Sequence, residues 1–236
     1  MPKVCLILTG QMRTYESMEI LNSYQYLSGL GDIDVYIYTW KNKGYSNAHG
    51  NTKLQNIEDN LKVITHSDII KHYSRVPFFK IKKIFIESFD DFYDSLSDSM
   101  KQKYNTPFQN HSRVTTSIPI EYKYQQAIRN SNVTNYDFAM ILRPDMEILS
   151  TLPTITPKED IIYYDCITYK AMDPFWMGTP KTLIKQLYHI FDEYEINYQM
   201  LPSYLRTDNN ELLILQCKKN NIELKVNIRD FCKQHF

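Results

Sequence analysis

Asp145 and Glu147 stand two residues apart, directly after Arg143-Pro144 and the apolar run Phe138–Leu142. Carboxylates at i and i+2 fall on the same side of a chain that stays extended. Placed so, they supply hard oxygen ligands for a divalent cation, which would neutralise a diphosphate and act as a Lewis acid on a departing phosphate. The competing arrangement is a strand-ending turn in which Asp145 bonds backbone amides and Glu147 is solvated. Arg143 either grips a phosphate bidentately or pairs with Asp145. Asp137, at the opposite end of the run, reads as structural.

A second group is Gly10-Gln11-Met12-Arg13, which follows the apolar run Lys3–Thr9. Loop amides just after a strand, close to a helix N-terminus, suit a nucleotide's phosphates or base. Arg13 is then a phosphate ligand or a solvated residue at the start of the helix. With six glycines the chain has no Gly-x-Gly-x-x-Gly and no Gly-Lys-Ser/Thr, which disfavours dinucleotide and P-loop sites. A third group is Asp173 with Phe175, Trp176 and Gly178. An aspartate beside an aromatic pair could deprotonate an acceptor hydroxyl next to a stacking face for a sugar. Alternatively the rings are core and Asp173 forms a turn before Pro174. Glu211 is a weaker candidate, placed like the second half of a capping box after Thr207/Asp208.

These residues need a scaffold, and the pattern supplies an α/β one. Phe138–Leu142 is an uninterrupted apolar run of the kind buried on both faces of a parallel sheet, and Pro144 ends it. Lys3–Thr9 and Ile33–Tyr38 are two more strands, joined by a helix from about Tyr15 to Leu27 capped by Thr14. Strand, turn, helix, strand is a βαβ opening. Short helices are expected near 54–61 and 67–74, a strand over Lys80–Ile86, and a helix over Asp90–Tyr104 capped by Ser88. A helix over Pro119–Asn130 leads into the central run. Then follow a strand Asp160–Tyr164, a loop Ala171–Pro180, a helix Lys181–Tyr194, a helix from about Asp208 to Lys219 and a strand Ile222–Val226. Residues 41–53 and 105–114 read as polar loops. No repeat or composition break divides the chain, so the expectation is one domain with a mixed, mostly parallel sheet flanked by helices. Ligands of such sheets bind outside the carboxyl ends of the strands, where Gly10–Arg13 and Arg143–Glu147 both fall.

The totals exclude several classes. The chain has 236 residues, 43% hydrophobic and 23% charged, which is globular rather than disordered. The 27 basic and 27 acidic residues cancel, which argues against a nucleic-acid surface built on bulk charge. Cys5, Cys166, Cys217 and Cys232 are scattered without a Cys-x-x-Cys pair, and the six histidines make no ligand-spaced cluster with them. No run reaches the 18 apolar residues of a membrane span, and the N-terminus is too short and β-like for a signal peptide. A cytoplasmic location follows as the expectation.

Three blocks resemble a known family. Val4-Cys-Leu-Ile-Leu-Thr-Gly-Gln-Met-Arg-Thr-Tyr15, Asp34-Val-Tyr-Ile-Tyr-Thr-Trp40 and Tyr136-Asp-Phe-Ala-Met-Ile-Leu-Arg-Pro-Asp145 resemble, in that order, the blocks of bacterial and viral polysaccharide glycosyltransferases of the GT-A type. The Asp173–Gly178 loop and the Glu211 helix look like the later blocks. The resemblance implies a single GT-A-like, Rossmann-like domain over 1–236, with a nucleotide-sugar-binding half in 1–147 and an acceptor-side half in 148–236. It implies a nucleoside-diphosphate sugar as donor and a glycan or lipid-linked acceptor. Thr9, Gly10, Gln11, Arg13, Thr39, Trp40, Arg143 and Trp176 would line the substrate site, Asp145 and Glu147 would hold Mn²⁺ or Mg²⁺, and Asp173 would be the base of an inverting reaction. Two positions depart from the pattern: Glu147 replaces the second aspartate of Asp-x-Asp, and Ile141 replaces the first arginine of Arg-x-Arg-Pro-Asp. The alternatives are a sugar-nucleotide-forming nucleotidyltransferase and a non-catalytic nucleotide-sugar-binding scaffold. A metal-binding Asp145 further implies that Asp145→Ala stops turnover at unchanged thermal stability.

Overall fold

Apolar runs without alternation become strands covered on both faces. The computed structural model describes residues 1–43, 62–105, 117–152, 156–164, 175–200, 209–226 and 232–234. Its strands are β1 (Val4–Gly10), β2 (Ile33–Trp40), β3 (Phe79–Glu87), β4 (Phe138–Leu142), β5 (Met146–Ile148), β6 (Ile161–Tyr164), β7 (Phe175–Gly178), β8 (Glu223–Val226) and β9 (Cys232–Gln234). Seven form one sheet in the order β3-β2-β1-β4-β7-β6-β8. Every pairing in it is parallel except those of β7, which runs against both β4 and β6. The expectation of a mixed, mostly parallel sheet flanked by helices therefore holds. β5 and β9 form a separate antiparallel pair.

The strand period of two sends alternate residues to two cores. Val4, Leu6 and Leu8 join Val35, Ile37, Met140, Leu142, Phe175 and Met177 on one face. Cys5 and Ile7 join Tyr36, Tyr38, Ala139, Ile141 and Trp176 on the other. β3 alternates lysine with apolar residues and lies at the sheet edge, where charge discourages further pairing.

The helices are α1 (Met18–Ser23, continuing as a 3₁₀ helix over Tyr24–Leu30), α2 (His66–Tyr73), α3 (Phe89–Ser95), α4 (Asp98–Asn105), α5 (Ser117–Asn130), α6 (Pro180–Leu187), α7 (Tyr194–Met200) and α8 (Asn209–Lys219). Several expectations are corrected here. The first helix begins after Ser17 rather than Thr14, because a backbone bond from Ser17 to the Thr14 carbonyl closes a turn first. The single helix expected over Asp90–Tyr104 is two. Leu96 turns extended to bury itself among aromatic rings, and Ser97 Oγ then accepts the Met100 amide at 3.2 Å, restarting the helix. The helix expected to reach Tyr194 stops at Leu187. Gln125 Oε1 on α5 accepts the amides of Phe191 and Asp192 at 3.0 and 3.2 Å, giving those donors a partner outside a helix.

Phe175–Gly178 is a buried inner strand, not part of a loop: four apolar or small residues suffice to fill the slot between β4 and β6. The helix expected near 54–61 lies outside the described residues. Asn105, expected in a loop, ends α4. Cys5 and Cys217 are free and buried. No described helix is long and apolar enough to cross a membrane.

One buried group has a pH consequence. Glu121 on α5 is 3% exposed, and its Oε1 has no hydrogen-bond partner among the described residues. Desolvation pushes its carboxyl well above the ordinary glutamate value of 4.5. The unfolded chain releases this proton where the folded chain keeps it, so the group costs stability increasingly as pH rises above that value. Glu121→Gln is expected to match the wild type near pH 4 and to exceed it toward neutral pH. The gap should grow by up to ~1.4 kcal/mol per pH unit while only the unfolded chain has ionised. Paired melting curves between pH 4 and 8 check this; a pH-independent difference would contradict it.

Candidate functional site

From β1 the chain moves outward to β2 and β3, then returns to place β4 on the other side of β1. This reversal makes β1/β4 a topological switch point, with a crevice outside the carboxyl ends of the two strands. Gly10 closes β1, in register with Thr39, and has φ +121°. A Cβ there would meet Pro144 Cδ at 3.9 Å and Arg143 Cγ at 4.0 Å, ordinary contacts. The glycine is required by its backbone angle, not by lack of room.

The turn so formed aims Gln11 and Arg13 at the end of β4. Arg13 Nε donates to Gln11 Oε1 at 2.7 Å, and Arg13 Nη1 lies 3.4 Å from Asp145 Oδ2. From the other side Arg143 Nε donates to Asp145 Oδ1 at 3.0 Å, and Arg143 Nη2 to Oδ2 at 2.7 Å. Arg143 pairs with Asp145, one of the two arrangements its position allowed. Asp145 is fully buried, whereas the side chains of Arg13 and Arg143 keep 21% and 17% exposure. Two guanidiniums thus meet one carboxylate at the crevice mouth.

Asp145 lies in a turn, with the Met146 amide bonded to the Arg143 carbonyl at 3.2 Å. The extended 145–147 segment that would align both carboxylates therefore begins only at Met146. Glu147 is partly buried on β5, with Lys233 of β9 as its backbone partner. In kind these donors suit a hard divalent cation, since both are carboxylates. Both Asp145 oxygens already accept guanidinium N–H bonds, so a cation takes a place there only as a guanidinium yields one. Among the described residues no three His, Cys, Asp or Glu side chains converge for a metal.

The other expected residues fall in three groups. Thr9, Thr39, Trp40 and Trp176 are 2, 0, 4 and 1% exposed, so none offers an open face to a ligand. Thr39 Oγ1 instead donates to the Gly10 carbonyl at 2.8 Å. Trp176 packs against Tyr124 with ring centroids 5.8 Å apart, which makes it core rather than a stacking surface. Asp173 lies outside the described residues. The backbone of Glu211 is in the first turn of α8, and its side chain lies outside them.

Sequence patterning missed a buried polar knot behind the crevice. Lys123 Nζ, on α5, donates to the Thr39 carbonyl at 3.0 Å, ion-pairs with Glu87 at the end of β3, and sits 3.8 Å from the centre of the Trp40 ring. Tyr122 OH donates to Glu87 Oε1 at 2.7 Å. Burial lowers the Lys123 ammonium to about 8, with Glu87 opposing the shift. A lysine between two tyrosines carries no signal of burial.

No protein-family model matches the chain, and no curated protein does. The site must be read from its own chemistry.

The burial of Asp145 argues against unchanged stability in Asp145→Ala. Removing the carboxylate takes a bidentate partner from Arg143 and a 3.4 Å contact from Arg13. The cost of breaking a fully buried pair is about 3–5 kcal/mol; with both arginines partly exposed, about 1–3 kcal/mol is expected. Arg13→Gln, which leaves the bidentate Arg143 pair with Asp145 in place, should cost less, under about 1 kcal/mol. Urea midpoints of the two variants test the order; an unchanged Asp145→Ala midpoint would show that the pair contributes nothing.

Proposed function

We propose that this protein is a glycosyltransferase that moves a sugar from a nucleoside-diphosphate donor to a glycan or lipid-linked acceptor, on a GT-A-like domain. The observation that carries the proposal is the meeting of Arg13, Arg143 and Asp145 at the β1/β4 switch point. Two partly exposed guanidiniums beside a glycine turn suit a diphosphate, whose planar-fork recognition by arginine is strong and directional. The strand order and the single reversed strand β7 are compatible with a GT-A-like sheet, and the three sequence blocks that resemble that family end at the crevice.

In this proposal Arg13 and Arg143 hold the donor diphosphate and the Gly10–Arg13 turn lies along the nucleotide. Asp145 orients both arginines before donor arrives. Asp145 and Glu147 would hold Mn²⁺ or Mg²⁺, which supplies Lewis-acid stabilisation of the departing nucleoside diphosphate. Asp173 is the proposed base for an acceptor hydroxyl, and residues 148–236 the acceptor side.

A thermal-shift screen of nucleoside diphosphates and their sugars, with and without Mn²⁺, is the test. A ligand present at 100 times its Kd adds about 2.7 kcal/mol of stability. One nucleotide class should raise Tm, more so with Mn²⁺, and Arg143→Ala should weaken its binding about tenfold or more, as expected for a lost charged hydrogen bond. Release of nucleoside diphosphate from the bound sugar nucleotide supports transfer chemistry. Pyrophosphate formed from a sugar phosphate and a nucleoside triphosphate would point to a nucleotidyltransferase. Binding without turnover under any acceptor would point to a scaffold, and no shift with any nucleotide would overturn the proposal.

A further inference from the structure

One chain of contacts at the turn that presents Gln11 and Arg13 leads away from the crevice to a buried charge. Gly10 has a positive φ, and its carbonyl is fixed by Thr39 Oγ1. The Thr39 carbonyl is fixed in turn by Lys123 Nζ, which approaches from α5 across the end of the sheet. Lys123 is 1% exposed, and it spends its charge on that carbonyl, on Glu87 and on the Trp40 ring. A buried lysine is expensive, and an apolar residue of similar volume would fill the same space without the desolvation cost. What only the ammonium supplies is a donor at the carboxyl end of β2, next to the threonine that sets Gly10.

We propose that Lys123 is a positioning residue for the crevice: it fixes the end of β2 through Thr39 and thereby holds the Gly10–Arg13 turn against Asp145. Glu87 and Tyr122 keep the ammonium in place. Trp40, which the sequence suggested as a ligand contact, is the wall on which that ammonium rests. The consequence for donor binding rests on the proposed function; the consequence for the turn does not.

The experiment is hydrogen–deuterium exchange by mass spectrometry on the full chain, comparing wild type, Lys123→Met and Lys123→Met/Glu87→Gln. The double variant removes the stranded carboxylate, so it stays informative where the single variant folds poorly. Amides in the 10–13 segment are expected to exchange about tenfold faster, in proportion to one lost charged hydrogen bond, while those of β4 and β7 keep wild-type rates. Unchanged exchange at 10–13, or equal acceleration across β1, β4 and β7, overturns the proposal. Titration with the nucleoside diphosphate that stabilises the wild type supplies the second readout: its Kd should rise about tenfold in the double variant. If the wild type binds no nucleotide, the donor-site proposal fails while the exchange result still decides the role of Lys123.

Discussion

A carboxylate removed from water must be paired, and the pairing of Asp145 organises this protein's most distinctive corner. Desolvating that group alone would cost several kcal/mol, so the fold brings it two guanidiniums from opposite sides of the sheet's turning point. Arg143 comes from the same turn. Arg13 comes from the other end of the sequence, which means the β1–α1 loop and the end of β4 have one mutual arrangement rather than many. The main-chain angle of Gly10 and the parallel register of β1 with β2 and β4 are the conditions under which those side chains meet.

The interaction also explains a division of labour between charge and packing. Trp40, Phe92, Leu96, Met100, Ile118 and Tyr194 form a small hydrophobic cluster of their own. It would be an ordinary satellite core except that its Trp40 ring lies under the Lys123 ammonium, 3.8 Å from the ring centre. Apolar walls lower the local dielectric, which strengthens every contact the ammonium makes and raises the cost of losing one. The two charges taken out of water, Asp145 and Lys123, are each met by partners of opposite sign that keep some exposure.

How much of this was legible in the sequence follows from which forces leave a pattern. Val4–Leu8, Ile33–Tyr38 and Phe138–Leu142 are strands because continuous apolar runs have few other places to go, and each was readable. Pro144 marked the end of β4 for a steric reason that acts locally. By contrast, β7 and β9 are three or four residues long, and their strand character comes from the neighbours that receive them. The breaks at Leu96 and Leu187 depend on Ser97 and Gln125 reaching particular amides, a tertiary fact. At the candidate site, Asp145, Arg143 and Arg13 stood out because charge after a buried strand is locally conspicuous, and Gln11 because it shares the glycine turn. Lys123 and Glu121 were missed because helical lysines and glutamates are usually solvated, and only the packed fold reveals them as enclosed; Glu87, at the end of β3, was missed because its partner Lys123 comes from a distant helix.

The pairing of β5 with β9 makes the anchorage of Asp145 a non-local property. Met146–Ile148 follows Asp145 directly, and its strand partner among the described residues is Cys232–Gln234, on the far side of α8 in the sequence. The strand that leaves the turn is therefore held by chain from well beyond the main run of the sheet, a pairing of the kind that raises contact order. A substitution near the end of the sequence can in this way reach the turn that carries Asp145.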